Sequence, residues 1–117
     1  MEAQELQSGL DQFFGTEKWY RHFTGMLYTD GIKYLAEQAG AYWLIDAVGS
    51  YQPVLQDEEF QLWRLEVDLE KSTGVLTMRR DTGLKPLVTQ KIPYTDFPLS
   101  EYEWYVEYNV MLLKNEH

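Results

Sequence analysis

The chain has 117 residues, 44% of them hydrophobic and 15% aromatic, with no cysteine and a formal net charge of −9. That size and apolar content fit one domain, 1–117, with its own core. The acidity disfavours a phosphate-tracking nucleic-acid binder or an anionic membrane surface, and the lack of cysteine excludes disulfides, thiolate metal sites and cysteine nucleophiles. No stretch reaches the roughly 18 apolar residues of a membrane span, and the polar start Met1-Glu2-Ala3-Gln4-Glu5 is no signal peptide. A cytoplasmic protein is expected.

Leu6, Leu10, Phe13 and Phe14 stand at helical spacing before Gly15, which predicts a short amphipathic helix over 4–14. The aromatic stretch from Thr16 to Asp30 reads as a helical turn near 17–22 and a strand or loop at 25–29. A second helix starts at a Thr29 or Asp30 cap and runs toward Val48, with Gly40 inside it and Gly49 and Pro53 as stops. Its stripe of Ile32, Leu35, Ala39 and Tyr42 continues, if unbroken, onto Asp46.

Beyond Pro53 the period changes to two. Trp63, Leu65, Val67 and Leu69 share one face of a strand over 60–69, with Phe60 and Leu62 out of phase, as a bulge or a strand start near Gln61 would make them. Turn signals at 71–74 and 81–83 separate further strands at 75–80 and 87–92. Tyr102, Trp104, Val106, Tyr108, Val110 and Leu112 alternate with Glu103, Tyr105, Glu107, Asn109 and Met111, which predicts one long half-buried strand. The expected architecture is α+β: N-terminal helices packed on one face of an approximately four-stranded antiparallel meander sheet. Segment 64–91 carries six bases and four acids, and 92–113 four acids and no base, so these strands suit one another as neighbours.

Asp46 is the only charged residue between Glu37 and Asp57 and interrupts the run Ala41 to Val48. A carboxylate there is either solvated at a helix edge or buried with a partner, since an isolated buried charge is very costly. The helical phase points it inward, to be held by Arg21, His22 or a tyrosine hydroxyl, with Arg64 and Arg79 as other cations. His22 is the one plausible catalytic imidazole, His117 being the last residue and expected to be mobile. His22 and Asp46 with Tyr20 or Tyr28 could form a general-base site in a pocket. The structural alternative, a histidine bonded to an acid to hold the fold, is favoured.

Neither Asp57-Glu58-Glu59 nor Glu66, Asp68 and Glu70 follows the calcium-loop pattern, and phosphate-binding glycine loops and nucleophile elbows are absent. No metal or cofactor is expected. Four Trp and nine Tyr exceed what core filling needs. Tyr105 on the polar side of the last strand, with Met111 nearby, is the contact candidate for a protein partner or for self-association through the sheet.

The phrases Trp19-Tyr20-Arg21-His22, Leu27 to Glu37, Ala39 to Ala47 and Gln90 to Leu99 resemble a family of small uncharacterised bacterial and phage proteins, a domain of unknown function. The resemblance implies no activity or cofactor to transfer, only a hint of a regulatory or inhibitor role. A non-catalytic, acidic interaction or regulatory module is the expected function. A small enzyme or ligand-binding protein using His22, Asp46 and a nearby tyrosine is the alternative.

Overall fold

A computed structural model describes residues 2–117. Helix α1 spans Ala3–Leu10, strands β1 and β2 span Trp19–Arg21 and Leu27–Thr29, and helices α2 and α3 span Asp30–Ala39 and Tyr42–Tyr51. A 3₁₀ turn at Gln52–Val54 leads to β3 (Phe60–Asp68), β4 (Thr73–Arg79), β5 (Val88–Ile92), β6 (Glu101–Glu107) and β7 (Val110–Leu113), and a last 3₁₀ turn covers Lys114–Glu116.

The sheet has seven strands in the order β1-β2-β7-β6-β3-β4-β5. It is mixed, because β2 runs parallel to β7 while its other pairs are antiparallel. The α+β class therefore holds, but the four-stranded meander is too small a description. Strands β1 and β2 are three residues each, too short to show a period. They extend the sheet through the parallel pairs Leu27–Val110 and Tyr28–Met111, and the helical turn expected near 17–22 is strand β1.

The predicted long last strand is a hairpin. Tyr108 and Asn109 both have positive φ, 49° and 66°, as a two-residue type I′ turn requires. Glu107 pairs with Val110, Val106 with Met111 and Trp104 with Leu113, so the positions on the helix-covered face switch from even to odd numbers across the turn. Met111 is consequently fully buried, which corrects its reading as an exposed contact.

The second helix is likewise two helices. Thr29 caps α2 by accepting the Ile32 N–H at 3.2 Å, as expected. Gly40 then takes the left-handed conformation, φ 62°, where a side chain would be strained, and the chain restarts as a separate helix, α3, at Tyr42. Asp46 therefore falls out of phase with Ile32, Leu35 and Ala39.

Strand β3 has no bulge: its register with β4 and β6 is unbroken from Phe60 to Asp68. Gln61, Trp63, Leu65 and Val67 point into the core shared with α1, α2 and α3, while Leu62 lies on the opposite face and is covered there. The apparent phase error was a buried glutamine. Gln61 and Gln52 exchange amide hydrogen bonds at 3.0 Å, and the Trp63 indole donates to Gln61 Oε1 at 2.8 Å, so this buried polar group is satisfied. The pair ties the end of α3 to the sheet. On the face away from the helices Arg64 bonds Glu101 and Glu103 of β6, the cross-strand charge matching expected of 64–91 against 92–113, and also Glu66 on its own strand.

Candidate functional site

Strand β1 ends in a tight turn in which His22 N–H donates to Met26 O at 2.7 Å and Gly25 N–H to His22 O at 2.9 Å. The turn carries the His22 ring beneath α3. There Nε2 lies 2.8 Å from Asp46 Oδ1 and Nδ1 lies 2.8 Å from Thr24 Oγ1. The Thr24 backbone N–H also points at Nδ1, at 3.3 Å, which makes Nδ1 the acceptor and Nε2–H the donor to Asp46 when the ring is neutral. His22 is only 7% exposed.

His22 and Asp46 thus meet, but the acid is not buried: its side chain is 65% exposed and its cationic partner is none of Arg21, Arg64 or Arg79. The helix break at Gly40 is the reason. No hydrogen bond joins Tyr20 or Tyr28 to the pair among the described residues. Those rings stack on each other with centroids 5.5 Å apart, and Lys33 Nζ sits 4.4 Å above Tyr20. The third group is the Thr24 hydroxyl, legible in hindsight from the turn His22-Phe23-Thr24-Gly25, where a hydroxyl two residues from its partner closes a local bond. Hydroxyl, imidazole and carboxylate form one chain, able in principle to move a proton from Thr24 toward Nδ1.

Thr24 borders a cleft of about 380 Å³ whose walls also include Gln52, Pro53, Leu55, Gln56, Glu58, Glu59, Tyr108 and Asn109. Three loops build it: the β1–β2 turn, the segment after α3 and the β6–β7 turn. Hydrogen bonds lock them together, from Leu27 N–H to Asn109 O at 3.0 Å and from Tyr108 N–H to Glu59 O at 2.8 Å. The same loops present Phe23, Val54 and Tyr108, which are 87%, 80% and 76% exposed. The Phe23 ring packs on His22 with centroids 4.3 Å apart.

Other candidates lie elsewhere. Tyr105 is half-covered on the sheet face away from the helices, packed on Phe60 at 4.9 Å and on His117 at 5.2 Å. His117, expected to be mobile, is tied to Glu107 there. Near it Lys114 bonds Glu103, whose carboxyl burial pushes up but Lys114 and Arg64 together bring below its ordinary value. Among the described residues no three His, Asp or Glu side chains are grouped for a metal, and no helix is long and apolar enough to cross a membrane.

Sequence reasoning missed Glu116 entirely. Its buried carboxylate accepts from Thr29 Oγ1 at 2.7 Å and Leu113 N–H at 2.9 Å and faces the Gly31 N–H at 3.3 Å, so it sits at the positive end of α2. Burial pushes this carboxyl up; hydrogen bonds from Thr29, Leu113 and Gly31 pull it down, the neighbouring Asp30 pushes it up, and the balance is a raised pKa.

The profile of a family described as of unknown function, DUF6876, matches residues 4–117. The chain belongs to the DUF6876 family. Neither the curated proteins nor the solved structures contain a match to it. The DUF6876 match covers all but the first residue of α1 and every later element to the last 3₁₀ turn, including all three loops of the cleft.

Proposed function

We propose that this DUF6876 domain is a non-catalytic binding module that engages a protein partner through its loop end. The observation that carries the reading is the exposure of Phe23, Val54 and Tyr108 on three separate loops at one cleft. Other large apolar side chains, such as Phe14 and Tyr94, are exposed too, but these three come together on loops that share one cleft, and function concentrates on loops positioned by a rigid scaffold. Tyr108 adds a second sign: the type I′ turn sets its positive φ, a position that favours Asn, Asp or Gly, and a large aromatic stands there instead. The sheet offers less, because Met111 is buried and Tyr105 is packed against Phe60 and His117. A regulatory or inhibitor role suits a small acidic domain of this kind, acting in the cytoplasm.

The test is selection of a displayed random-peptide library on the full chain and on a Phe23→Ser, Val54→Ser, Tyr108→Ser variant of unchanged circular dichroism. Sequences enriched on the first and not on the second support the reading. Failure to enrich, or equal enrichment on both, opposes it.

One observation favours a second reading, a small hydrolase: the Thr24–His22–Asp46 chain with both contacts at 2.8 Å. It is the weaker one, because the ring is enclosed and the acid is mostly solvated. Labelling of Thr24 by an activated ester or fluorophosphonate, abolished by His22→Gln, would support it. Unlabelled protein under forcing conditions opposes it.

A further inference from the structure

We infer that the cleft takes the arginine side chain of a protein partner; this rests on the reading of the loop end as the binding surface. The walls contain two carboxylates, Glu58 and Glu59, and no Lys, Arg or His. Glu58 already holds a guanidinium, with Arg80 Nε at 2.6 Å from Oε1 and 3.3 Å from Oε2. The Glu59 side chain is exposed and makes no hydrogen bond or ion pair among the described residues, although its backbone carbonyl anchors Tyr108. One carboxylate in the cleft is therefore committed and one is free.

The remaining walls match the rest of an arginine. Tyr108 supplies an aromatic ring of the kind a guanidinium stacks on, Gln56 and Asn109 supply amide groups whose carbonyls can accept its N–H donors, and Pro53 and Leu55 supply apolar wall for the methylene stem. Arginine suits these walls better than lysine because its planar fork donates in several directions at once while one face stacks. The cleft volume lies near the lower end of the roughly 300–1,000 Å³ usual for ligand sites, enough for one long side chain and part of its neighbour. Exposed Phe23 and Val54 are chain neighbours of the lining residues Thr24, Pro53 and Leu55, and are available to apolar residues beside the arginine. The net charge of −9 draws a basic segment from a distance, in a way that salt weakens.

The experiment uses peptides selected on the full chain. Arginine should recur among them beside apolar residues, and its replacement by glutamine should weaken binding at least tenfold. Glu59→Gln, at an exposed position that leaves the fold intact, should weaken the same peptides several-fold, with a shallower salt dependence. Peptides that lose binding to the Phe23, Val54, Tyr108 triple variant but carry no cation would overturn the arginine assignment and leave the binding surface standing. Peptides indifferent to the triple variant would overturn the surface itself. Displacement of the arginine peptide by spermidine at equal concentration would make this a site for small polycations, and overturn the protein-partner assignment.

Discussion

Gly49 and His22 are in such close contact that a Cβ on Gly49 would stand 2.8 Å from both Cε1 and Nδ1 of the imidazole. The glycine lies inside α3, where alanine would ordinarily be worth about 0.5–1 kcal/mol more. Two opposing effects thus meet at one position. The clash wins, because the ring is fixed by Asp46 on one side and Thr24 on the other. Gly49→Ala should destabilise the domain by about 1–3 kcal/mol in urea unfolding. Combined with His22→Ala the penalty should largely vanish, since the obstacle is gone; strictly additive losses would show that the two residues do not couple.

His22 and Asp46 differ in what their loss should do. His22→Ala removes a buried ring and leaves a cavity, at a cost of about 2–4 kcal/mol. Asp46→Ala removes a mostly solvated acid, and the exposed end of such a pair is worth about 1 kcal/mol or less. Melting temperatures of the two variants side by side check this. An Asp46→Ala loss as large as that of His22→Ala would mean that the acid is enclosed after all.

Glu116 gives a pH dependence of definite sign. Folding raises the pKa of this carboxyl, so the folded chain keeps its proton at pH values where the unfolded chain has lost it. The contribution to stability is complete below the unfolded value, about 4.3, and is lost as pH rises through the folded value. Relative to Glu116→Gln, the natural chain should therefore lose stability as pH rises from about 4 through that window. Glu103, whose pKa is lowered, works in the opposite direction but is present in both proteins and cancels. A difference between the two proteins that is flat in pH, or that grows in favour of Glu116 as pH rises, would contradict the assignment.

Tyr108 separates stability from binding. Its ring is largely in water, while its backbone sits in the left-handed region that costs an L-residue about 1–2 kcal/mol. Tyr108→Gly should leave the domain as stable or about 0.5–1 kcal/mol more so, measured by thermal unfolding. The same variant should lose the selected peptides. Lost stability would mean that the exposed ring is holding the hairpin rather than serving a partner.

The residues that could be read were those whose pattern and environment agree. Strands β3, β4 and β5 lie between plain turn sequences and bury one face, and the Thr29 cap fixes the start of α2, so their periods survive in the sequence. The hairpin at 108–109 was illegible because Tyr-Asn is not the usual Asn-Gly of such turns, and the alternation of aromatics passes through it unmarked. The direction of Asp46 was lost at Gly40, where one left-handed residue separates two helices that share an apolar composition. Gln61 looked like a phase error because its satisfaction depends on Gln52, nine residues away, and on Trp63. The candidate site was half legible: the His22–Asp46 pair came from residue types, whereas the cleft depends on three loops whose contacts span from Gly25 to Asn109.

Protection of backbone amides from hydrogen exchange, with and without a peptide selected on the full chain, tests the loop-end binding surface most directly. The peptide should slow exchange at residues 23–25, 54–59 and 108–110, and leave the β5 edge at 88–92 and the outer face of β6 unchanged. Protection confined to β5 or β6, with the three loops unaffected, would contradict it and return the interaction to the sheet.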